Sequence, residues 1–270
     1  MRTLRPERPG VEQIDITRRR RPERPRPGAD LLYGRNAVAE ALRGRRKPRA
    51  LLLAEGVKQD ERIRGITSRA TAAGARIERL PRADFDQLLG RVNHQGIALD
   101  AGPYPYVALD ELLGETGTIL ALDHLQDPQN LGTLLRAADA AGVVGVVIPA
   151  DRAAHVTPAV VNASAGAVEH LPVAMVPNLA RALNEAKVAG WWAVGLETGD
   201  ESTDLFAIDL PSPIALVIGS ESDGISQHVR KHCDILISIP MVGRIASLNA
   251  ATAGSVVLFE LLRRQRRTGR

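Results

Sequence analysis

Cysteine is nearly missing. One residue, Cys233, stands in a chain of 270, so no internal disulfide can form, and the chain fits a reducing cytosol. Cys233 precedes a β-like run and is expected to be a small core residue rather than a nucleophile. Aromatic residues are scarce, 3% of the chain, so the core must be built from Ala, Val, Leu and Ile. No apolar run is long enough to cross a bilayer, and the N-terminus has no apolar leader segment. There is no G-x-G-x-x-G, no Walker A sequence and no Cys or His at metal-ligand spacing. Ordinary dehydrogenase, P-loop kinase and zinc-site readings lose support, and no metal is expected.

Positive charge is present but unevenly placed. The formal net charge is +4, yet residues 1–28 carry nine Arg against four acidic residues and the last eight residues carry five more Arg, which leaves the body near −6. The basic pI therefore belongs to the two ends. Flexible Arg-rich ends suit a polyanion such as RNA; a solvated tail is the alternative. Residues 1–28, rich in Arg, Pro and Glu with little to bury, read as disordered. The length allows two modest domains.

From about Asp30 the pattern changes. LLYGRNAVAEALRG places Val38, Ala41 and Leu42 at helical spacing, with Gly44 as a stop. Arg49–Ala54 reads as a buried strand, Glu61–Ala73 as a helix, Ala75–Leu80 as a strand and Arg82–Leu89 as a short helix. A polar turn at Asn93–Gly96 precedes the strand Ile97–Asp100. This is a small α/β unit over residues 29–101. Arg35, Arg45, Arg46, Lys47 and Arg49 cluster near its start and are expected to face phosphates, with scattered surface charge as the alternative. His94, alone in its turn, is expected to be hydrogen-bonded and structural rather than catalytic. Residues 102–113, with two prolines and no clear period at first, read as an interdomain linker.

Over residues 114–270 strands alternate with helices, which implies a mostly parallel α/β sheet. Trp191 and Trp192 fall on a strand flanked by helices and are expected to be packing residues. In such sheets ligands bind beyond the C-terminal ends of strands. Three loops qualify. In Asp123–Gly142, Pro128 ends any strand, Asn130 can cap a helix beginning at Leu131, and Leu131, Leu134, Leu135 and Ala138 form its apolar face. Arg136 falls off that stripe and can point toward solvent or a substrate. In Val217–Ser226 a strand opens into a loop with Gly219, Glu221 and Gly224. Ile239–Leu262 reads as a short strand, a glycine-containing loop and a helix with Ser247 at the N-cap. Gly254 inside that helix costs ~1 kcal/mol relative to Ala, which implies a close approach to its backbone. Taken singly, none of the three loops is specific.

The set and order are. LDHLQDPQNLGTLLRAADAAGV, ALVIGSESDGIS and IPMVGRIASLNAATAGSVVLFEL resemble the three motifs of the SpoU (TrmH-like) branch of the SPOUT RNA methyltransferases, from Thr118 to about Leu262. YGRNAVAEALRG, LLLAEG and NHQGIAL resemble the ribosomal-protein-L30e-like substrate domain of one subgroup. That subgroup methylates a ribose 2′-hydroxyl of a guanosine in the peptidyl-transferase region of large-subunit (23S) ribosomal RNA. The resemblance implies a C-terminal trefoil-knotted SPOUT domain with a mostly parallel sheet, preceded by a small L30e-like α/β domain. It also implies S-adenosylmethionine as methyl donor, bound bent at the knot, and a homodimer; the single cysteine already points to a cytoplasmic setting.

Matched residue by residue, Asn130 and Arg136 take the polar positions of the first motif, Glu221 the acid of the second, and Ser247 and Asn249 the pair of the third. Ile218, Gly219, Ile239, Met241 and Leu248 would line the donor pocket. Two departures stand out: Ser222-Asp223 follows the acid where the family has Gly, and a Ser of the third motif is replaced in the Ala251 region. In the family the residue matching Arg136 has been proposed as the base. An arginine stays protonated, however, so Arg136 is expected to grip the adjacent phosphate and stabilise the developing alkoxide. Glu221, or a water it orients, is the second candidate for proton acceptor, with Asn130, Ser247 and Asn249 orienting these groups. A tRNA or antibiotic-resistance methyltransferase, and a non-catalytic RNA-binding or ribosome-assembly protein, are the alternatives.

Overall fold

Two sheets carry the chain. The computed structural model describes residues 31–199, 201–245 and 247–267; the Arg-rich segment at residues 1–28 lies outside the described residues. The first unit runs β1 (Leu31–Tyr33), α1 (Arg35–Ala41), β2 (Ala50–Ala54), α2 (Glu61–Ala72), β3 (Arg76–Leu80), α3 (Arg82–Leu89) and β4 (Ile97–Asp100). Its strands lie in the order β1-β4-β2-β3, with β4 antiparallel to both neighbours. β2 (ALLLA) is buried along its whole length. Asp60 caps α2, its carboxylate accepting from the Ile63 N–H at 3.0 Å. Val38 and Ala41 lie on α1 as their spacing predicts, with Leu42 closing it, but the residues ahead of the helix form a strand. Leu31, Leu32 and Tyr33 pair with Asp100, Leu99 and Ala98 as a strand, and α1 begins only after Gly34, whose φ is 83°. Local periodicity cannot register a partner strand 65 to 69 residues away in sequence.

The segment expected to be a linker is tied down. The Tyr104 hydroxyl is buried against the carbonyls of Leu171 (2.6 Å) and Val168 (3.0 Å), and Val107 bridges to Ala174. α4 (Leu109–Leu113) follows, with Leu112 buried.

The second sheet is built from β5 (Thr118–Leu122), α5 (Pro128–Ala140), β6 (Gly145–Pro149), α6 (Pro158–Ala163), a 3-10 turn at Ala167–Glu169, β7 (Val173–Val176), α7 (Leu179–Val188), β8 (Trp192–Leu196), β9 (Thr203–Asp204), β10 (Ile214–Ile218), α8 (Gln227–Arg230), β11 (Ile235–Ser238) and α9 (Ala250–Arg267). Its seven strands lie in the order β7-β6-β5-β10-β8-β11-β9, and every neighbouring pair is parallel. β5 (TILAL), β6 (GVVIP) and β10 (IALVI) are buried throughout, as near-continuous apolar runs require when helices cover both faces. Trp191 is buried as expected, but Trp192, first residue of β8 at the rim of the sheet, is 44% exposed.

Two apolar clusters cover the two faces. One joins α5 (Leu131, Leu134, Leu135) and α9 (Val257, Leu258, Leu261) and continues unbroken into Val38, Leu51 and Ile63 of the first unit. The other gathers Leu179, Leu183, Trp191 and Val229. α9 crosses α5 at Gly254, where a Cβ would lie 2.4 Å from Ile218 Cδ1 and 2.7 Å from Leu134 Cδ1. That is the close approach expected of this glycine. The C-terminal arginines are not all a loose tail: α9 runs to Arg267, and Arg264 binds Glu260 and the carbonyls of Ile208 and Leu205.

Candidate active site

The site grows from two helix starts. α5 begins at Pro128, earlier than expected. Asp127 is its N-cap, accepting from the Gln129 N–H at 2.9 Å, and proline at the first position has no N–H to leave unpaired. Asn130 is therefore not the cap, and its side chain is free for other contacts. α9 is capped not by Ser247 but by Asn249, whose Oδ1 accepts from the N–H groups of Ala251 (2.9 Å) and Thr252 (3.2 Å).

That cap fixes the polarity of a relay. With Asn249 Oδ1 held by backbone donors, its Nδ2 points outward and donates to Asn130 Oδ1 at 2.9 Å. The Asn130 Nδ2 then donates to Glu221 Oε1. Each amide orientation is forced by the previous one, so the free N–H groups of α9 orient a carboxylate on another loop. All three loops singled out in the sequence meet here.

Beside the relay lies a cavity of about 310 Å³. It is lined by Leu196, Glu197, Thr198, the loop Ile218–Gly224, Ile239, Met241, Ser247, Leu248, Ala250 and Ala253. Ile218, Gly219, Ile239, Met241 and Leu248 all stand on its wall, with Glu221 and Ser247. Asn130 and Asn249 join it through Glu221. Arg136 does not line it. Arg136 sits six residues beyond Asn130 on α5, about 9 Å along the axis, and is exposed with no hydrogen-bond or ion-pair partner among the described residues.

The loop after β10 closes on itself. Ser220 and Gly224 exchange backbone hydrogen bonds of 2.9 and 3.1 Å. Only glycine fits at Gly219, since a Cβ there would lie 1.9 Å from the carbonyl carbon of Gly224. The Ser222-Asp223 departure is absorbed locally: Ser222 Oγ donates to Asp223 Oδ2 at 2.6 Å, and the Asp223 N–H to Ser220 Oγ at 3.2 Å.

Two acids that hold this loop were not singled out in the sequence. Asp123, buried at the end of β5, accepts from the Ser226 N–H at 2.7 Å; Glu197, after β8, accepts from the Ile225 N–H at 2.9 Å. An acid directly after an apolar strand (LALD, AVGLE) is the signal that could have found them. Glu197, Glu221 and Asp223 give the cavity three carboxylates, and among the described residues no Lys, Arg or His lines it. Such a wall favours a cation with an apolar body over a polyphosphate.

The basic patch read from sequence holds only in part, with Arg45, Lys47 and Arg49 exposed. Arg46 is buried, and Arg49 lies beside Asp100. Arg35 instead shares an open groove of about 650 Å³ with Lys58, Arg62, Arg82, Asn93 and Gln95, and pairs with Asp60 at 2.5 Å. His94 is hydrogen-bonded, as expected: Nε2 meets Asp86 Oδ1 at 2.8 Å, and Nδ1 accepts from the Gly96 N–H at 3.0 Å. Among the described residues no group of acids, His and Cys could hold a metal ion, and no helix is long and apolar enough to cross a membrane.

An all-parallel seven-stranded sheet with a ligand cavity at the ends of β8, β10 and β11 defines an α/β methyltransferase of the SPOUT class. The model of the SpoU rRNA Methylase family matches residues 117–259, and a model for RNA 2′-O ribose methyltransferase substrate binding matches residues 31–107. The chain belongs to the SpoU rRNA methylase family. It is 40% identical, over 97% of its length and 86% of the relative's, to an uncharacterized tRNA/rRNA methyltransferase of Mycobacterium avium. It is likewise 40% identical to the putative TrmH family tRNA/rRNA methyltransferase YacO of Bacillus subtilis, over 89% of this chain and 98% of that one. Among solved structures it resembles an AdoMet-bound rRNA methyltransferase from Sinorhizobium meliloti (TM-score 0.75, 26% identity, 87% of each chain). It also resembles the SpoU methyltransferase AviRb from Streptomyces viridochromogenes in complex with AdoMet (TM-score 0.74, 27% identity, 88% of this chain and 90% of that one).

Proposed function

We propose that the chain transfers a methyl group from S-adenosylmethionine to a ribose 2′-hydroxyl of RNA, and that the substrate is a guanosine of 23S ribosomal RNA near the peptidyl-transferase centre. The observation that carries the reading is the relay from Asn249 through Asn130 to Glu221, at the edge of a cavity lined by carboxylates and apolar side chains. The donor, when bound, supplies a methyl group on a cationic sulfonium. Ile218, Ile239, Met241 and Leu248 offer the apolar wall for its body, Gly219 the backbone approach, and Glu197 and Asp223 a negative field suited to its charge.

The chain's own residues deal with the hydroxyl. Its proton must leave and the charge on oxygen must be held. Glu221, oriented by Asn130, is the proton acceptor within reach of the cavity. Arg136 remains charged, and its exposed guanidinium grips the phosphate beside the target ribose and stabilises the alkoxide. Ser247 orients the ribose from the cavity wall.

Residues 29–101 serve as the RNA-binding domain and residues 114–270 as the methyltransferase domain. The groove of Arg35, Lys58, Arg62 and Arg82 supports the first assignment: four cations line it, with Asp60 paired to Arg35 and Asp86 beside Arg82. The C-terminal segment threads a trefoil knot, supported by the tight Gly219 and Gly254 contacts. The chain acts as a homodimer, in keeping with an Arg136 that stands off its own cavity and with the half-exposed Phe259 on α9.

The test is methyl transfer from labelled S-adenosylmethionine to protein-free 23S ribosomal RNA, with the modified ribose mapped. Label on one guanosine near the peptidyl-transferase centre is expected. Label on tRNA alone would overturn the substrate, and no transfer with no donor binding would overturn the enzyme. Arg136→Ala should abolish transfer and leave donor affinity unchanged; full activity would remove Arg136 from the site.

A further inference from the structure

Arg46 is the residue of the expected basic patch that the fold puts to another use. Its Nε lies 2.9 Å from both carboxylate oxygens of Glu169, and its Nη1 donates to the Gly102 carbonyl at 2.8 Å. The guanidinium carbon sits 5.1 Å from the centre of the Tyr104 ring. The two paired side chains are 1% and 0% exposed. Arg46 follows α1 in the first unit; Glu169 closes the 3-10 turn after α6 in the second. The pair therefore bridges the groove-bearing unit and the cavity-bearing unit inside a sealed interface.

The surroundings are as close. A Cβ at Gly44 would lie 2.6 Å from the Glu169 carbonyl oxygen, and one at Gly166 2.6 Å from Glu40 Cβ. Glu40 also meets His170 at 2.9 Å. The contact continues inward. A Cβ at Gly132 of α5 would lie 2.3 Å from Ala163 Cβ and 2.8 Å from the Ser164 nitrogen, so α6 backs directly onto α5. α5 is the helix that carries Asn130 and Arg136. One packed path thus runs from the first unit, through Arg46 and Glu169, to the helix of the candidate site.

An apolar pair of the same volume would hold the units together with less desolvation. In some proteins a buried ion pair instead fixes one permitted orientation. We propose that the Arg46–Glu169 pair sets the register between the RNA-holding unit and the catalytic helix, so that the fixed separation of groove and cavity selects which ribose is methylated. Neither residue touches the reacting atoms; both are positioning residues. The inference rests on residues 31–107 holding RNA, and its test separates the two.

Full-length protein and its Glu169→Gln variant are given labelled S-adenosylmethionine and total RNA, and every labelled ribose is mapped. The wild-type map tests the substrate reading; the difference between maps tests the register. In the variant, label is expected to spread to neighbouring riboses, while kcat/KM at the native ribose falls about 100-fold, as a misplacement near 1 Å produces, and donor affinity is unchanged. A role in stability alone lowers the yield at the same ribose without moving the label, and that outcome overturns the proposal.

A second measurement needs no RNA. Spin labels at Ser68→Cys and Val188→Cys, in a Cys233→Ser background, report the distance between the units. A narrow distribution in the otherwise native protein that broadens with Glu169→Gln supports the register; one equally narrow, or already broad without the substitution, refutes it. If Glu169→Gln does not fold, Arg46→Lys, which keeps the charge but loses the planar fork that meets both Glu169 oxygens and the Gly102 carbonyl, replaces it in both measurements.

Discussion

Asn249 does two jobs, and two substitutions separate them. Asn249→Ala removes the cap of α9 and the hydrogen bond to Asn130 together. Asn249→Ser keeps an oxygen that can cap the helix but cannot reach Asn130 as the amide does. Losing an N-cap costs about 1 kcal/mol. A neutral hydrogen bond contributes about 0.5–1.5 kcal/mol. Asn249→Ala should therefore destabilise by about 1.5–2.5 kcal/mol, and at about 2–4 °C per kcal/mol for a chain of this size lower Tm by about 3–10 °C. Asn249→Ser should lose only the second contribution. Activity should not follow stability. Both variants release Asn130 and so Glu221, and kcat/KM should fall in both by similar factors of about 10–100. Donor affinity should hold, because Asn249 does not line the cavity. Thermal melts, donor titration by calorimetry and methyl transfer read the three quantities. If Asn249→Ser keeps wild-type kcat/KM, the relay has no catalytic part. If it melts as low as Asn249→Ala, the cap is wrongly assigned.

Other outcomes follow from single contacts. Gly254→Val drives a branched side chain into Leu134 and Ile218 and should cost about 1–3 kcal/mol; because Ile218 walls the cavity, donor Kd should weaken too, and an unchanged Kd would separate α9 packing from donor binding. Hydrogen bonds from Arg263, and then from Arg264, hold the Glu260 carboxyl down at about 2 against an ordinary 4.5. Its contribution is thus present above pH 4.5 and lost as pH falls through about 2, so the difference in urea midpoint between wild type and Glu260→Gln should stay flat from pH 7 to pH 5 and shrink below 4.5. A gap that widens on acidification would contradict the ion cluster. Burial, aided by the Asp234 charge, pushes the Cys233 thiol up to about 12. A thiol reagent at pH 8 should label it slowly in the native protein and rapidly in urea, and fast native labelling would place it at the surface.

Much of the architecture was legible because it is local. The runs TILAL, GVVIP and IALVI can only be buried strands between helices, and they are the centre of the parallel sheet. Ile218, Gly219, Ile239, Met241 and Leu248 were named from motif positions, and the cavity has them all on its wall. Cap assignment was less secure. Ser247 and Asn249 are both good cap residues, and only the path of the chain into α9 decides which one meets the free N–H groups. Asn130 lost its expected cap to Asp127 because Pro128 can open a helix as readily as it ends a strand.

The arginines show the limit most clearly. Arg35, Arg45, Arg46, Lys47 and Arg49 are neighbours in sequence, and adjacency alone reads as one patch. Folding sends Arg46 inward to Glu169, 123 residues away, and gathers Arg35 with Arg62 and Arg82 instead. The amino-acid sequence by itself determined the elements, the three loops and the kind of chemistry, because apolar period, glycine placement and residue type act over a few positions. Tertiary structure decided which cation is buried, which amide caps and which carboxylate is oriented, because each depends on partners tens of residues away that meet only when the two sheets pack.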